Sequence, residues 1–317
     1  MSYSTGGTIQ GNDYNNLAWG GNTTNTYTTA TNNLAVVWGI GTGQFGYGQD
    51  VSLISAVTAA TTVTATQWAG LVYTVNKTLG HQAGTAALLT GAVQGGNIGI
   101  TAGATITAFA NVSAAVTTVT TNKHNFNNVR GTTSVAVNFD GTAFDATSFT
   151  QTITVTFDSA DKARYFFNSG GRLDLVLSPI SLTDNPKEQS YTDLMNAVGT
   201  LSLDVLTSTR SGTGETLTTD GLAIGYWDLT TSDQTILKLT SDNSTYTGNT
   251  VEIKAKVAGA GGSNGGLGTQ VVYSIVYTDG ADEAFNDAVS GTFRHTIYVQ
   301  SPETTYLADV WGTITPT

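Results

Sequence analysis

The sequence predicts a mainly β protein with a small α component: an antiparallel β-sandwich preceded by a loop-rich N-terminal region with two helices. Three observations predict it. Helical spacing of apolar residues is confined to stretches before residue 125, and from there the period is two. Four prolines in 317 residues leave the strands largely uninterrupted. Gly, Asn and Thr clusters separate the short apolar pieces, as turns do. With 39% hydrophobic residues the chain can bury a core, so it reads as folded and not as disordered.

Residues 1–62 lack a sustained helical period and read as extended and loop-rich, with one short helix near residues 12–17. The first clear helix is expected over 64–80. Thr64 and Gln67 fit a capping box, Trp68, Leu71, Val72, Val75 and Leu79 form one apolar stripe, and Gly80 is placed to end it. The run from Ile9 to Leu17 echoes that from Val63 to Leu71, with Tyr14 answering Trp68. Two similar helix starts, or chance, account for the echo. Residues 82–104 are rich in Gly and Ala and read as loop. A second helix is expected over 106–123, with Ile106, Phe109, Val112, Val116 and Val119 on one side.

Beyond residue 125, Ile153, Val155 and Phe157 share one strand face, and Leu173, Leu175 and Leu177 another. Between them a short helix, capped by Asp158 or Ser159 and ended by Gly170 and Gly171, carries Tyr165, Phe166 and Phe167. It is expected to plug one end of a sheet. Further strands are expected over 251–257, 271–278, 292–299 and 305–314, with a Gly-rich loop over 259–268. The domain reading is therefore 1–124 as an N-terminal docking region and 125–317 as a β-sandwich region, with an optional division near 200.

Charge is distributed unevenly. The first 122 residues carry Asp13, Asp50 and Lys77 and no other charged side chain. A surface made of Thr, Asn, Ser, Gln and Gly can meet another protein without stripping water from ions, and interface cores are depleted of charge. Docking is the favoured reading; a Thr/Asn-rich β-protein with no partner is the competing one. Trp19, Trp38, Phe45 and Tyr47 are the candidate interface anchors, because buried aromatics dominate interface energy. Trp68, on the helical stripe, reads better as core.

The net charge of −11 repels phosphate backbones and anionic lipid, which disfavours nucleic acid and membrane surfaces as partners. No apolar run is long enough for a bilayer-spanning helix. The absence of Cys excludes disulfides, thiolate catalysis and Cys-ligated zinc. The opening residues lack the basic and apolar regions of a secretory signal, so the chain is expected to stay in the cytoplasm or leave by lysis.

No catalytic, cofactor or metal residues are assigned. Gly41, Gly43 and Gly46 match G-x-G-x-x-G, but no helical face follows and residues 51–66 contain no Asp or Glu for a ribose. A glycine turn beside aromatic packing is the expectation. His81 and His124 follow the two expected helices, where cap and dipole contacts explain them. No G-x-S-x-G elbow supports a Ser–His–Asp triad. Asp279, Asp282, Glu283 and Asp287 read as a solvated acid cluster, since they lack the ligand order of a calcium loop. A glycosidase needs two carboxylates across a sugar cleft, and linear positions identify no such pair.

The segments Met1-Ser2-Tyr3-Ser4-Thr5-Gly6-Gly7-Thr8-Ile9, Asp13-Tyr14-Asn15-Asn16-Leu17-Ala18-Trp19-Gly20 and Gly46-Tyr47-Gly48-Gln49 carry a resemblance. So do Thr66-Gln67-Trp68, His81-Gln82 and Ala163-Arg164-Tyr165-Phe166-Phe167-Asn168-Ser169-Gly170-Gly171. Together they resemble a group of tailed-bacteriophage virion structural proteins, of the cyanophage and marine-phage type. The resemblance implies a non-enzymatic particle component of the tail, baseplate or neck, located in the virion. It would assemble as a homo-oligomer with other virion proteins. The alternatives are a capsid decoration protein, or a tail protein binding a host-surface glycan through Tyr226 and Trp227. A depolymerase is a third, weaker reading.

Overall fold

The computed structural model describes residues 8–27, 33–85, 89, 108–127, 134–141, 148–182, 185–259, 268–280 and 288–317. They form two compact units. The first comprises Met1–Arg130 with two returning segments, Asn168–Gly170 and Pro302–Val310. The second comprises Gly131–Phe167, Gly171–Ser301 and Trp311–Thr317. The first unit thus runs to residue 130 and takes in two short segments from beyond it.

Among the described residues, four α-helices build the first unit: α1 (Gly11–Trp19), α2 (Leu34–Trp38), α3 (Ala65–Ala83) and α4 (Phe109–Thr121). The capping box of α3 is present, with Gln67 N donating to Thr64 Oγ1 at 3.2 Å and Thr64 N to Gln67 Oε1 at 2.8 Å. Thr64→Ala removes the hydroxyl that accepts from Gln67 N and donates to Gln67 Oε1, and keeps the backbone half of the cap. It is expected to cost about 1 kcal/mol, read as a lower urea midpoint for the first unit.

Gly80 does not end α3. The helix continues to Ala83 and stops at Gly84, whose φ is +78°. A Cβ at Gly80 would lie 2.3 Å from the Tyr306 ring, so the glycine serves close approach there. The five-residue α2, expected as an extended piece, is started by Asn33, whose Oδ1 accepts from Val36 N at 2.9 Å. The start of the second expected helix, residues 106 and 107, lies outside the described residues, as do most of the 82–104 stretch and residues 1–7.

The echo between Ile9–Leu17 and Val63–Leu71 has a structural counterpart. Gln10 and Thr62 form an antiparallel bridge, Val63 N donates to Ile9 O, and each strand-like entry leads into a helix. Tyr14, Leu17, Trp68 and Leu71 all enter one hydrophobic core with Leu34, Val37, Ile54, Val112, Val116 and Leu307. Thr-rich α4 satisfies its hydroxyls internally. Thr117, Thr118, Thr120 and Thr121 each donate to the carbonyl four residues back.

In the second unit two antiparallel sheets adopt a sandwich-like arrangement. One runs β1 (Ser134–Gly141), β10 (Thr292–Gln300), β3 (Arg172–Ile180), β4 (Thr200–Leu203), β5 (Ser208–Arg210) in spatial order. The other runs β11 (Ile314–Pro316), β2 (Ser148–Phe157), β9 (Gln270–Thr278), β8 (Thr250–Ala258), β7 (Gln234–Thr240), β6 (Thr216–Asp220). Alternation fixes which side faces in. Ile153, Val155 and Phe157 of β2 are buried, as are Leu173, Leu175 and Leu177 of β3. Tyr277 of β9 stacks on Phe293 of β10 at 4.6 Å and 8°, joining the two sheets.

Helix α5 (Ala160–Asn168) is capped by Ser159, whose Oγ accepts from Lys162 N. Its Phe166 and Phe167 meet Phe157, and Phe167 stacks on Tyr226 at 4.0 Å. This is the aromatic plug expected from the sequence. Helix α6 (Pro186–Val198) was not anticipated, although Asn185 caps it, Pro186 opens it and Gly199 follows it. The strand expected over 305–314 is not formed. Residues 302–310 belong to the first unit, and only Ile314–Pro316 pairs, with β2. The Gly-rich loop at 259–268 lies mostly outside the described residues.

Candidate functional site

The aromatics chosen as interface anchors are mostly core residues. Trp19 and Tyr47 are each 1% exposed and Trp38 8%. A buried ring with a polar tip needs a partner, and each finds one within its own unit. Trp19 Nε1 donates to Ile54 O at 2.6 Å, and Trp38 Nε1 to Asp50 O at 2.9 Å. Tyr47 donates its hydroxyl proton to Lys123 O at 2.7 Å and accepts from Gln82 Nε2 at 2.8 Å. Phe45 alone is half-exposed, with Lys123 Nζ 4.7 Å from its ring centre. Trp68 is core and stacks on Phe109 at 6.2 Å.

The exterior of residues 8–127 is poor in charge, while the returning segment Pro302–Val310 of the same unit adds exposed Asp309 and half-exposed Glu303. Among the described residues from 8 to 127, Asp50 is the one well-exposed charged side chain. Asp13 is buried, and Lys77 and Lys123 lay their stems and ammonium groups over rings. Exposed Thr117, Thr118 and Thr121 of α4 have their hydroxyls bonded to the helix backbone, which leaves their methyls outermost. Such a surface sheds water at low cost.

Beneath it lies a buried polar clamp. The segment Asn168–Gly170 enters the first unit where α3 and α4 end. His81 Nε2 donates to Ser169 O at 3.0 Å, since a carbonyl only accepts. His124 Nε2 likewise donates to Gln44 O at 3.0 Å, and Asn168 Nδ2 donates to Gly43 O and Gly46 O at 3.2 and 3.4 Å. His124 also hydrogen-bonds the Asn168 side chain, so both histidines come to the 168–170 segment. Burial pushes each down to about 4, against a smaller upward pull from the carbonyl it faces; for His124 the nearby Lys123 charge adds to the lowering. Both rings are neutral at pH 7.

The clamp explains the G-x-G-x-x-G loop. Gly41, Gly43 and Gly46 have φ of +49°, +55° and +100°, and the loop's carbonyl oxygens receive Asn168 and His124. A phosphate cradle presents N–H groups at a helix start instead. Asn168→Ala removes the donor to two carbonyls and is expected to cost about 1–3 kcal/mol. Asn168→Asp places a carboxylate against those oxygens and is expected to cost more. Urea unfolding of the two variants checks the order.

Other sequence candidates separate. Lys187 Nζ meets Asp279 at 2.6 Å, while Asp282, Glu283 and Asp287 lie outside the described residues. Tyr226 and Trp227, suggested as sugar platforms, are 0% and 8% exposed and belong to the core of the second unit. Asp193 and Glu215 share a cleft of about 420 Å³, whose lining contains no aromatic ring. Among the described residues no three His, Asp or Glu side chains are grouped to hold a metal ion. No family model matches the chain, and neither a curated protein nor a solved structure matches it.

Proposed function

We propose that the chain is a non-enzymatic structural component of a tailed-phage virion, located in the tail, baseplate or neck. It assembles as a homo-oligomer and with other virion proteins through its first unit. One observation carries the reading: among the described residues from 8 to 127, Asp50 is the one well-exposed charged side chain, Lys77 and Lys123 being half-buried. A surface of that kind is easily covered by a partner, and the family resemblance of the sequence supplies the particle context. The docking chemistry lies in uncharged exterior side chains, because Trp19, Trp38 and Tyr47 are committed to the core.

Deleting residues 1–60 would strip Tyr14, Trp19, Leu34, Trp38 and Tyr47 from that core, so truncation reports on folding and not on docking. Particle content is the direct test. Density-purified particles should contain the chain in multiple copies. A chain that remains wholly in the soluble lysate overturns the proposal.

A further inference from the structure

In the second unit a buried lysine meets a carboxylate. Lys187, in the first turn of α6, is 2% exposed, and its Nζ lies 2.6 Å from Asp279 Oδ2, one residue past the end of β9. That is shorter than an ordinary ammonium–carboxylate hydrogen bond. The helix face beside it is apolar. Tyr191, one turn beyond Lys187, is fully buried and sets its ring edge-on against Tyr277 and Phe293. We propose that Lys187 and Asp279 condense into an intramolecular isopeptide bond, a covalent cross-link between α6 and the end of β9.

Rigid positioning makes the condensation feasible. Asn249, just before β8, holds the backbone on both sides of the pair. Its Nδ2 donates to Ser190 Oγ at 2.7 Å, and its Oδ1 accepts from Gly280 N at 3.2 Å. Ser190 Oγ donates in turn to Lys187 O at 2.8 Å. A Cβ on Gly248 or Gly280 would strike the other residue's carbonyl oxygen, so these two turns approach as closely as glycine allows. Glu188 ties the same helix turn to Ser290 and Gly291. Groups held in contact in this way react as if at a concentration no free amine reaches.

Burial favours the product. An ammonium with three donors and a carboxylate are costly to keep where water is scarce, and condensation removes both charges. The ammonium passes one proton to the Asp279 carboxylate, and the freed electron pair on Nζ attacks Cγ. The Nζ–Cγ bond forms and one Cγ–Oδ bond breaks. That oxygen leaves as water, carrying the first proton and a second from Nζ, so no oxidant or cofactor is needed. The Asp279 side chain is 20% exposed, which gives the water a way out, while that of Lys187 stays 3% exposed. The chain has no Cys for a disulfide, and the amide would brace it covalently by closing the long loop between the two residues.

Intact-mass measurement of the folded full chain tests this. The wild type should be lighter than its sequence mass by one water, and a protease digest should yield a branched peptide joining Lys187 to Asp279. Lys187→Met should restore the full mass. Asp279→Asn should give the same branched product, with ammonia leaving in place of water. A wild type at its full sequence mass overturns the proposal, whether or not the variants fold. So does a lost water that persists in Lys187→Met, since that loss would come from cyclisation elsewhere, such as at Asp279-Gly280. The virion assignment is judged separately, by particle content.

Discussion

Glu188→Ala should destabilise the second unit by about 3–5 kcal/mol, the largest effect expected of a single substitution in it. Glu188 is fully buried in the first turn of α6. Its Oε1 accepts from Ser290 N at 2.6 Å, Ser290 Oγ at 2.9 Å and Gly291 N at 3.2 Å. The helix N-terminus favours its negative charge, and Asn185 caps the same turn by accepting from Glu188 N. Alanine leaves the buried Gly291 N–H and the partly buried Ser290 N–H without that acceptor and leaves a void. Glutamine retains one acceptor oxygen and should cost less, and Ser290→Ala, which removes one donor, least of all. Urea midpoints should fall in that order; equal midpoints for Glu188→Ala and wild type would show that the carboxylate holds nothing.

Acid should unfold the protein well before carboxylates alone would account for it. His81, His124 and His295 are each pushed from 6.5 down to about 4, mainly by burial. In His295, Nδ1 donates to Phe139 O and Nε2 accepts from Tyr277 Oη at 3.0 Å, an arrangement that needs the neutral ring. The Phe139 carbonyl and the Asp140 charge pull its value upward, but less than burial lowers it.

Between pH 6.5 and 4 the unfolded chain therefore binds protons that the folded chain refuses. The stabilisation is complete above 6.5 and declines as pH falls toward 4. For a fully buried ring the gap is worth up to about 3 kcal/mol, and less for half-buried His124. His81 and His124 belong to the first unit and His295 to the second, so both units weaken. Thermal unfolding followed from pH 7 to pH 4 should show a steadily falling midpoint. A midpoint flat across that range would contradict the neutral-ring geometry.

The parts of this fold that were legible are those set by local rules. The capping box at Thr64 and Gln67 and the alternation in β2 and β3 depend on neighbours within one turn or one strand, and both appear as expected. Helix α2 was hidden because five consecutive apolar residues have no period, although Asn33 was a usable cap signal. Helix α6 carries clearer local signals in Asn185, Pro186 and Gly199.

What local rules cannot supply is long-range pairing. Gly80 looked like a helix stop because its need for space comes from Tyr306, far along the chain. Residues 305–310 alternate weakly, but Gln49 claims Ala308 through hydrogen bonds of 3.0 and 2.8 Å, and the segment joins the first unit. Core and interface aromatics look alike in sequence, since both are apolar and close-packed. Trp19, Trp38 and Tyr47 were separated from the surface by their hydrogen bonds to Ile54, Asp50 and Lys123. The charge-poor exterior of the N-terminal segment, by contrast, was readable from composition, because a segment with four charged residues from 1 to 127 has few to expose.

Antibody-gold electron microscopy with antibodies to the full chain on purified particles tests the virion assignment most directly. Gold at the tail, baseplate or neck is the expected result. Gold confined to the head would contradict the siting and make the chain a capsid decoration. No labelling of intact or opened particles would contradict the assignment itself.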